Sequence, residues 1–392
     1  MDIGAVGAAV AIPARDEALC LPSCLEALAR QRSGHGRTVD PTAFAVLVLA
    51  NNCSDATARV AREAAPRLPF KLFVAEAVLP PGLAHAGGAR RAAMDAAAAM
   101  LGGGRAALLS TDADSRAAPD WLAANLAALA AGADAVAGAI EPDAAQFAAL
   151  PPALRAREES ETAYAALLDE MAWLIDPDPN DPWPRHGIHS GASMALTLGA
   201  YRRIGGLPAV PVGEDRALFD AVRRAGLLVR HCHAARVSVS CRLDGRAAGG
   251  MADTLLRRRM DAAAPTDPRL EAAADAFWRF RCRRVFRRVQ GGAARPGDLL
   301  RLAFGVHLPP RMVARIGRAP DFSSGWNALE VASPALTRHP VSASALAREA
   351  ERAELILRVV RGVSAAASTV AARPPGMTAT GRAGSARTAP AA

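Results

Sequence analysis

The chain has 392 residues, of which 51% are hydrophobic and 22% charged, with a formal net charge of +9. This is the composition of a folded globular protein with room for one large or two medium domains, and it excludes a disordered or fibrous chain. The basic excess is local: residues 1–256 carry 24 basic and 28 acidic side chains, while residues 257–361 carry 20 and 10, which argues against a nucleic-acid-binding core and for a basic appendage.

In chain order, Val6–Ile12, Ala45–Leu49, Leu72–Ala75, Ala107–Leu109 and Ala135–Ile140 are short apolar runs bounded by turn residues, as buried strands are. Between them Ala18–Arg30, Ala56–Ala65, Gly88–Met100 and Pro119–Ala131 have helical spacing. Strand–helix alternation predicts an α/β fold, a mostly parallel Rossmann-like sheet flanked by helices. Ligands of such sheets bind beyond the carboxyl ends of the strands. Polar loops fall at three of those ends: Pro13-Ala14-Arg15-Asp16-Glu17, Asn51-Asn52-Cys53-Ser54-Asp55 and Thr111-Asp112-Ala113-Asp114.

Residues 141–190 form an insertion with one helix, roughly Ala156–Leu174, and a Pro- and Asp-rich loop from Asp176 to Pro184. Ser193–Leu198 follows as a strand, Tyr201–Ile204 as a helix, Glu214-Asp215 as a helix start and Val237–Val239 as a last short strand. The expected domains are 1–250, with a nucleotide-binding half to 140 and an acceptor half from 141, then a helical basic extension over 251–362. Residues 363–392, rich in Ala, Ser, Thr, Pro and Gly, have the composition of a disordered tail. In the extension Trp278, Cys282, Val285, Phe286 and Val289 make an apolar stripe among arginines. Such a helix lies on an anionic membrane or packs its stripe on the domain, and packing is preferred.

Asp112 and Asp114, one residue apart just past a strand, can point to one side and present hard oxygens to Mg2+ or Mn2+. The same string also suits a solvated turn. Arg90, at a helix start after Gly87-Gly88, suits a diphosphate. Glu214-Asp215 suits either a general base with a positioning partner or an acidic pair favoured by a helix N-terminus. His231 and His233 alternate on one side of an extended segment; His233 is a candidate third metal ligand beside the plainer reading of a polar cleft. Cys20 and Cys24 have no second pair to complete a metal site and are expected as buried thiols. The six cysteines make no disulfide framework. No basic n-region precedes the first strand, and Trp121 to Ile140 is interrupted by Asn125, Gly132 and Asp134, so a cytoplasmic protein, in reach of the inner membrane face, is expected.

The ordered set of these motifs, completed by Gly87-Gly88-Ala89-Arg90-Arg91 and Gly213-Glu214-Asp215, resembles family 2 glycosyltransferases of GT-A fold over about residues 7–250. The resemblance implies a metal-dependent sugar transfer from a nucleoside diphosphate to a hydroxyl acceptor (lipid, small molecule or glycan), with inversion. It implies that Pro13, Ala14, Arg15 and Glu17 meet the nucleoside, Asn51 the base, and Arg90 the diphosphate. Asp112 would contact ribose or metal, Asp114 the metal, and Asp215 would act as base with Glu214 positioning the acceptor. Where the family usually has two aspartates, this chain has Asn51-Asn52, so uridine is the first expectation with guanosine open. Arg242 or Arg246 would close over the diphosphate. The alternatives are a nucleotidyltransferase of similar sheet architecture and a non-catalytic nucleotide- or membrane-binding protein.

Overall fold

The computed structural model describes residues 7–34, 36–245 and 249–371. Four parallel strands open the chain: β1 (Ala8–Ala14), β2 (Phe44–Asn51), β3 (Lys71–Ala77) and β4 (Ala107–Ser110). They are separated by α1 (Leu21–Ala29), α2 (Thr57–Ala64) and α3 (Ala86–Ala98). Alternate residues of β1 serve opposite faces, as strand geometry requires. Val10 and Ile12 pack with α1 residues Leu21, Leu25 and Leu28, whereas Ala9 and Ala11 pack with α3 residues Ala93, Met94 and Ala97. Both faces are therefore dry, which explains why these strands are continuous apolar runs rather than alternating ones.

After β4 come β5 (Arg116–Ala117), α4 (Trp121–Ala130) and β6 (Ala135–Pro142). Helices α5 (Ala144–Ala149) and α6 (Pro152–Ile175) follow, then β7 (Met194–Thr197), α7 (Leu198–Arg203), α8 (Glu214–Arg224) and β8 (Val229–Val239). The sheet order is β3-β2-β1-β4-β7-β6-β8-β5. Strand β7 lies antiparallel between β4 and β6, and β5 is antiparallel to β8, so the sheet is mixed at this end. The sequence predicts only 237–239 for the last strand; β8 begins eight residues earlier, at Val229, and pairs in parallel with β6 through a bulge near Gly138. Its polar residues Arg230, His231, His233 and Arg236 mask the strand pattern.

The remaining elements are helical: α9 (Met251–Met260), α10 (Ala273–Gln290), α11 (Asp298–Gly305), α12 (Pro310–Ile316), α13 (Phe322–Ala332) and α14 (Leu346–Ala371). The α10 stripe packs: Cys282 and Phe286 are buried with Leu302, Val313, Trp326 and Leu329. A further core joins α6, α10 and α14 through Tyr164, Leu168, Met171, Ala273, Ala276, Ala353 and Leu357. Helix α14 continues to Ala371, so residues 363–371 are helical where the composition suggests a disordered tail; the rest of that tail lies outside the described residues. Among the described residues no helix is long and apolar enough to cross a membrane.

Candidate active site

Because β2, β1 and β4 are neighbours in register, Ala14 opposite Ala50 and Ala11 opposite Ser110, their polar tips stand side by side. Pro13 and Ala14 end β1, and Arg15 beyond them is exposed. Glu17 is buried; its backbone N–H donates to Thr57 Oγ1 at 2.8 Å. Asp16, in left-handed backbone with φ 53°, accepts from the N–H groups of Ser54 at 2.7 Å and Asp55 at 3.2 Å. These bonds tie the first tip to the second.

Asn51 and Asn52 part company. Asn52, with φ 50°, locks its amide to the Leu79 backbone, donating and accepting at 3.1 Å. Its task is that of a turn residue. Asn51 is buried at the end of β2, and among the described residues its amide has no hydrogen-bond partner. An amide with no partner in the protein keeps its donors and acceptor open to a ligand.

Arg90 does not face an open diphosphate pocket. It is 6% exposed, and its guanidinium makes four hydrogen bonds within the protein. These go to Glu214 Oε1 at 3.2 Å, Ser110 Oγ at 3.1 Å, the Gly191 carbonyl at 3.0 Å and Asp112 Oδ1 at 2.7 Å. The expected phosphate ligand is thus a buried clamp. Burial opposes its charge, and the carboxylates of Asp112 and Glu214 outweigh that, holding its pKa above the ordinary value. Two glycines make room: a Cβ on Gly191 would lie 2.3 Å from the Arg90 guanidinium, and one on Gly87 2.0 Å from the Val210 carbonyl and 3.1 Å from Glu214 Cβ. Helix-start position suggested a phosphate contact; Ser110 and Gly191 carry no sequence signal of their own.

Asp114 sits beside Asp112 with Arg242 against it, Nη2 to Oδ2 at 3.1 Å. The same guanidinium forks onto Glu17, with Nη1 to Oε2 at 2.8 Å and Nη2 to Oε1. One arginine from beyond β8 therefore spans the first and third strand tips. Even so, burial and then the charge of Asp112 push the Asp114 carboxyl up to about 6. Buried beside the pair, Thr111 Oγ1 and Ser115 Oγ have no hydrogen-bond partner. Crowded carboxylates and orphaned hydroxyl oxygens are a donor set that fits a hard divalent cation. His233 does not join them. Among the described residues the one three-ligand grouping is Asp16, Cys53 and Asp55, and those carboxylates already accept from backbone N–H groups.

His233 belongs to a different cluster. Its ring meets that of His186 at 5.0 Å between centroids, and His186 meets His231 at 5.5 Å. His231 Nδ1 pairs with Asp181 Oδ2 at 2.7 Å, and its Nε2 faces His189 Nε2 at 3.2 Å. Burial outweighs the Asp181 bond and lowers His231 to about 4; burial and the neighbouring imidazoles lower His186 to about 3. His186 and His231 are therefore neutral and packed at neutral pH. The spacing of His186 and His189 beside the 231/233 pair is the signal that would have revealed the cluster.

Glu214 and Asp215 open α8. Glu214 is buried on Arg90, while burial and then the Glu214 charge push the Asp215 carboxyl up. Cys24 is a buried thiol, donating to the Asp112 carbonyl at 3.4 Å, and Cys20 is half-buried with it. Arg246 lies outside the described residues.

No curated protein matches the chain. Among solved structures, the mannosyltransferase PcManGT from Pyrobaculum calidifontis, in complex with GDP-Man and Mn2+, is similar at 17% identity and TM-score 0.42, over 93% of this chain and 86% of that one. TarS residues 1–349 from S. aureus, in complex with UDP-GlcNAc, is similar at 14% identity and TM-score 0.43, over 83% and 91%. Neither likeness is close enough to carry an argument. A family model is more direct: the one described as Glycosyl transferase family 2 matches residues 9–179. That span holds β1 to α6 with all three strand tips and Arg90, while Glu214, Asp215 and Arg242 lie beyond it. Residues 9–179, somewhat under half of the chain, are thus the segment that is similar to glycosyl transferase family 2.

Proposed function

We propose that this enzyme moves a sugar from a nucleoside diphosphate to a hydroxyl-bearing acceptor, with inversion and with a divalent metal, Mn2+ or Mg2+. The observation that carries the reading is Arg90, which ties Asp112 on the donor side to Glu214 in the acceptor half. Asn51 reads the base, and Pro13, Ala14, Arg15 and Glu17 line the nucleoside. Asp112 and Asp114 would hold the metal, which when bound would supply positive charge to the departing diphosphate.

Asp215 takes the proton of the acceptor hydroxyl as its oxygen attacks the anomeric carbon, and the bond to the diphosphate oxygen breaks on the opposite face. Its raised pKa brings it towards the range in which a carboxylate is a useful base. Glu214, fixed by Arg90, keeps the start of α8 in place. The domain division at 250 and a cytoplasmic location, with the basic helices in contact with a membrane face, belong to the same proposal.

The test is a panel of UDP- and GDP-sugars incubated with acceptors, with Mn2+ or with chelator. Metal-dependent release of nucleoside diphosphate supports the reading. Release of pyrophosphate from a nucleoside triphosphate would assign a nucleotidyltransferase instead, and strong vesicle binding together with no nucleotide response would assign a membrane-binding protein.

A further inference from the structure

Between residues 276 and 320 the chain has eleven arginines and one acid, Asp298. That acid is buried at the start of α11 and engaged by Arg288 at 2.9 Å and Arg301 at 3.5 Å. The arginines that turn inward have partners: Arg279 on Glu271 and Glu330, Arg283 and Arg287 on Asp176. Arg284, Arg295, Arg311, Arg315 and Arg318 are different. Each is outside the core, and among the described residues none of them makes an ion pair with a carboxylate.

In the midst of this charge α11 exposes apolar side chains. Phe304 is 82% exposed and Leu300, one turn earlier, 62%. They edge an open groove of about 350 Å³ whose other walls are Ala303, His307, Leu308 and Pro310. Arg301 lies on the same exposed side of α11, Arg295 in the exposed loop before it, and Arg311 directly after Pro310. A bare phenylalanine and leucine bordered by arginines, in a stretch whose single acid is buried, match a bilayer with an anionic face: the rings and methyls enter the acyl boundary while the guanidinium groups meet lipid phosphates. An acidic protein partner would match the charge, but two apolar side chains standing out from a short helix suit a fluid surface better than a packed one.

We propose that Leu300 and Phe304 on α11, ringed by Arg295, Arg301 and Arg311, form the surface by which this protein docks on anionic membranes. This narrows the membrane contact proposed above to named residues. It is independent of the transfer chemistry, which a vesicle assay does not read.

The test is flotation of the full chain with phosphatidylcholine vesicles containing about a quarter phosphatidylglycerol, and with pure phosphatidylcholine. The expected result is binding to the anionic vesicles, little to the neutral ones, and a loss of about tenfold or more in Leu300→Ser/Phe304→Ser. Arg295→Glu/Arg311→Glu should lose binding too, and added salt should weaken it. All four side chains are surface-placed, so an unchanged far-UV spectrum checks that the variants fold. Absence of flotation overturns the proposal, as does undiminished binding by Leu300→Ser/Phe304→Ser. A dimer in light scattering that this double variant dissolves, without vesicle binding, assigns the patch to a second copy instead.

Discussion

Arg90 and Glu214, 124 residues apart in sequence, share a buried ion pair, and the other end of the same guanidinium holds Asp112. The donor-side carboxylate and the carboxylate beside the proposed base are therefore fixed relative to one another through a single side chain. Removing it leaves two carboxylates facing each other with no cation between them. Arg90→Ala should cost about 3–5 kcal/mol in urea unfolding, the range for breaking a buried pair. Gly191→Ala, whose methyl would lie 2.3 Å from that guanidinium, should displace Arg90 and lower turnover in a folded protein. Wild-type turnover in Gly191→Ala would show that the clamp does not position the site.

Asp114 sets function against stability. Its folded pKa of about 6 stands above the ordinary 3.8. A raised carboxyl contributes stability that is full below pH 3.8 and is lost as the pH rises through 6. At pH 7 in chelator, Asp114→Asn should thus match or exceed the wild type, by about 1 kcal/mol. The advantage should shrink towards acid pH. The same variant should show no Mn2+-dependent rise in melting temperature with a nucleotide sugar. A preserved metal response would remove Asp114 from the metal site.

For Asp215 the expected split is between binding and turnover. Asp215→Asn should retain donor affinity in calorimetry and lose about 10²–10⁴-fold in kcat, the usual worth of a positioned base. Retained turnover would leave the acidic pair with a role at the helix start alone.

The adjacent asparagines should separate in the same way. Asn52→Ala gives up a left-handed residue that tolerates φ 50° and two bonds to Leu79, at about 2 kcal/mol of stability. Nucleotide preference should stay put. Asn51→Ala should alter affinity between UDP and GDP with a smaller stability loss, since its amide has no described partner to leave behind. Both changes are read by thermal shift with and without nucleotide.

Acid should attack the histidine cluster first. His186 and His231 have folded values of about 3 and 4, below their ordinary 6.5. Stability from them is full above pH 6.5 and is lost as the pH falls towards 4, because the unfolded chain takes protons that the buried rings refuse. The Asp181 carboxylate that pairs with His231 has a lowered pKa and stays ionised through this window, so it does not cancel the loss. His186→Phe should flatten the fall in stability between pH 7 and 5, measured by urea unfolding at each pH. An unchanged slope would place the acid-sensitive groups elsewhere.

The donor half was legible because each of its strands is buried on both faces, leaving continuous apolar runs with polar residues only at the tips. Asp112, Asp114, Glu17 and Asn51 could be placed at one crevice from strand order alone. What chain pattern could not supply was the direction of long side chains. Arg90 has the position of a phosphate ligand and the contacts of a clamp, since its partners Ser110 and Gly191 look ordinary in sequence. Strand β8 hid its first half behind alternating histidines and arginines, and with it the company that His233 keeps.

Strand β7 ties closure of the sheet to the seating of Arg90. It closes the sheet between β4 and β6 only after residues 143–193 have made a long excursion. Its ladder with β4, like the ladder that sets Ala8 of β1 opposite Ala107 of β4, joins residues far apart in the chain, the slower kind of contact. The returning segment also brings the Gly191 carbonyl to Arg90 and Ser193 Oγ to Trp121 Nε1 at 2.9 Å. The segment that closes the sheet thus also carries the carbonyl that helps to hold Arg90, so a disturbance of β7 is a disturbance of the clamp.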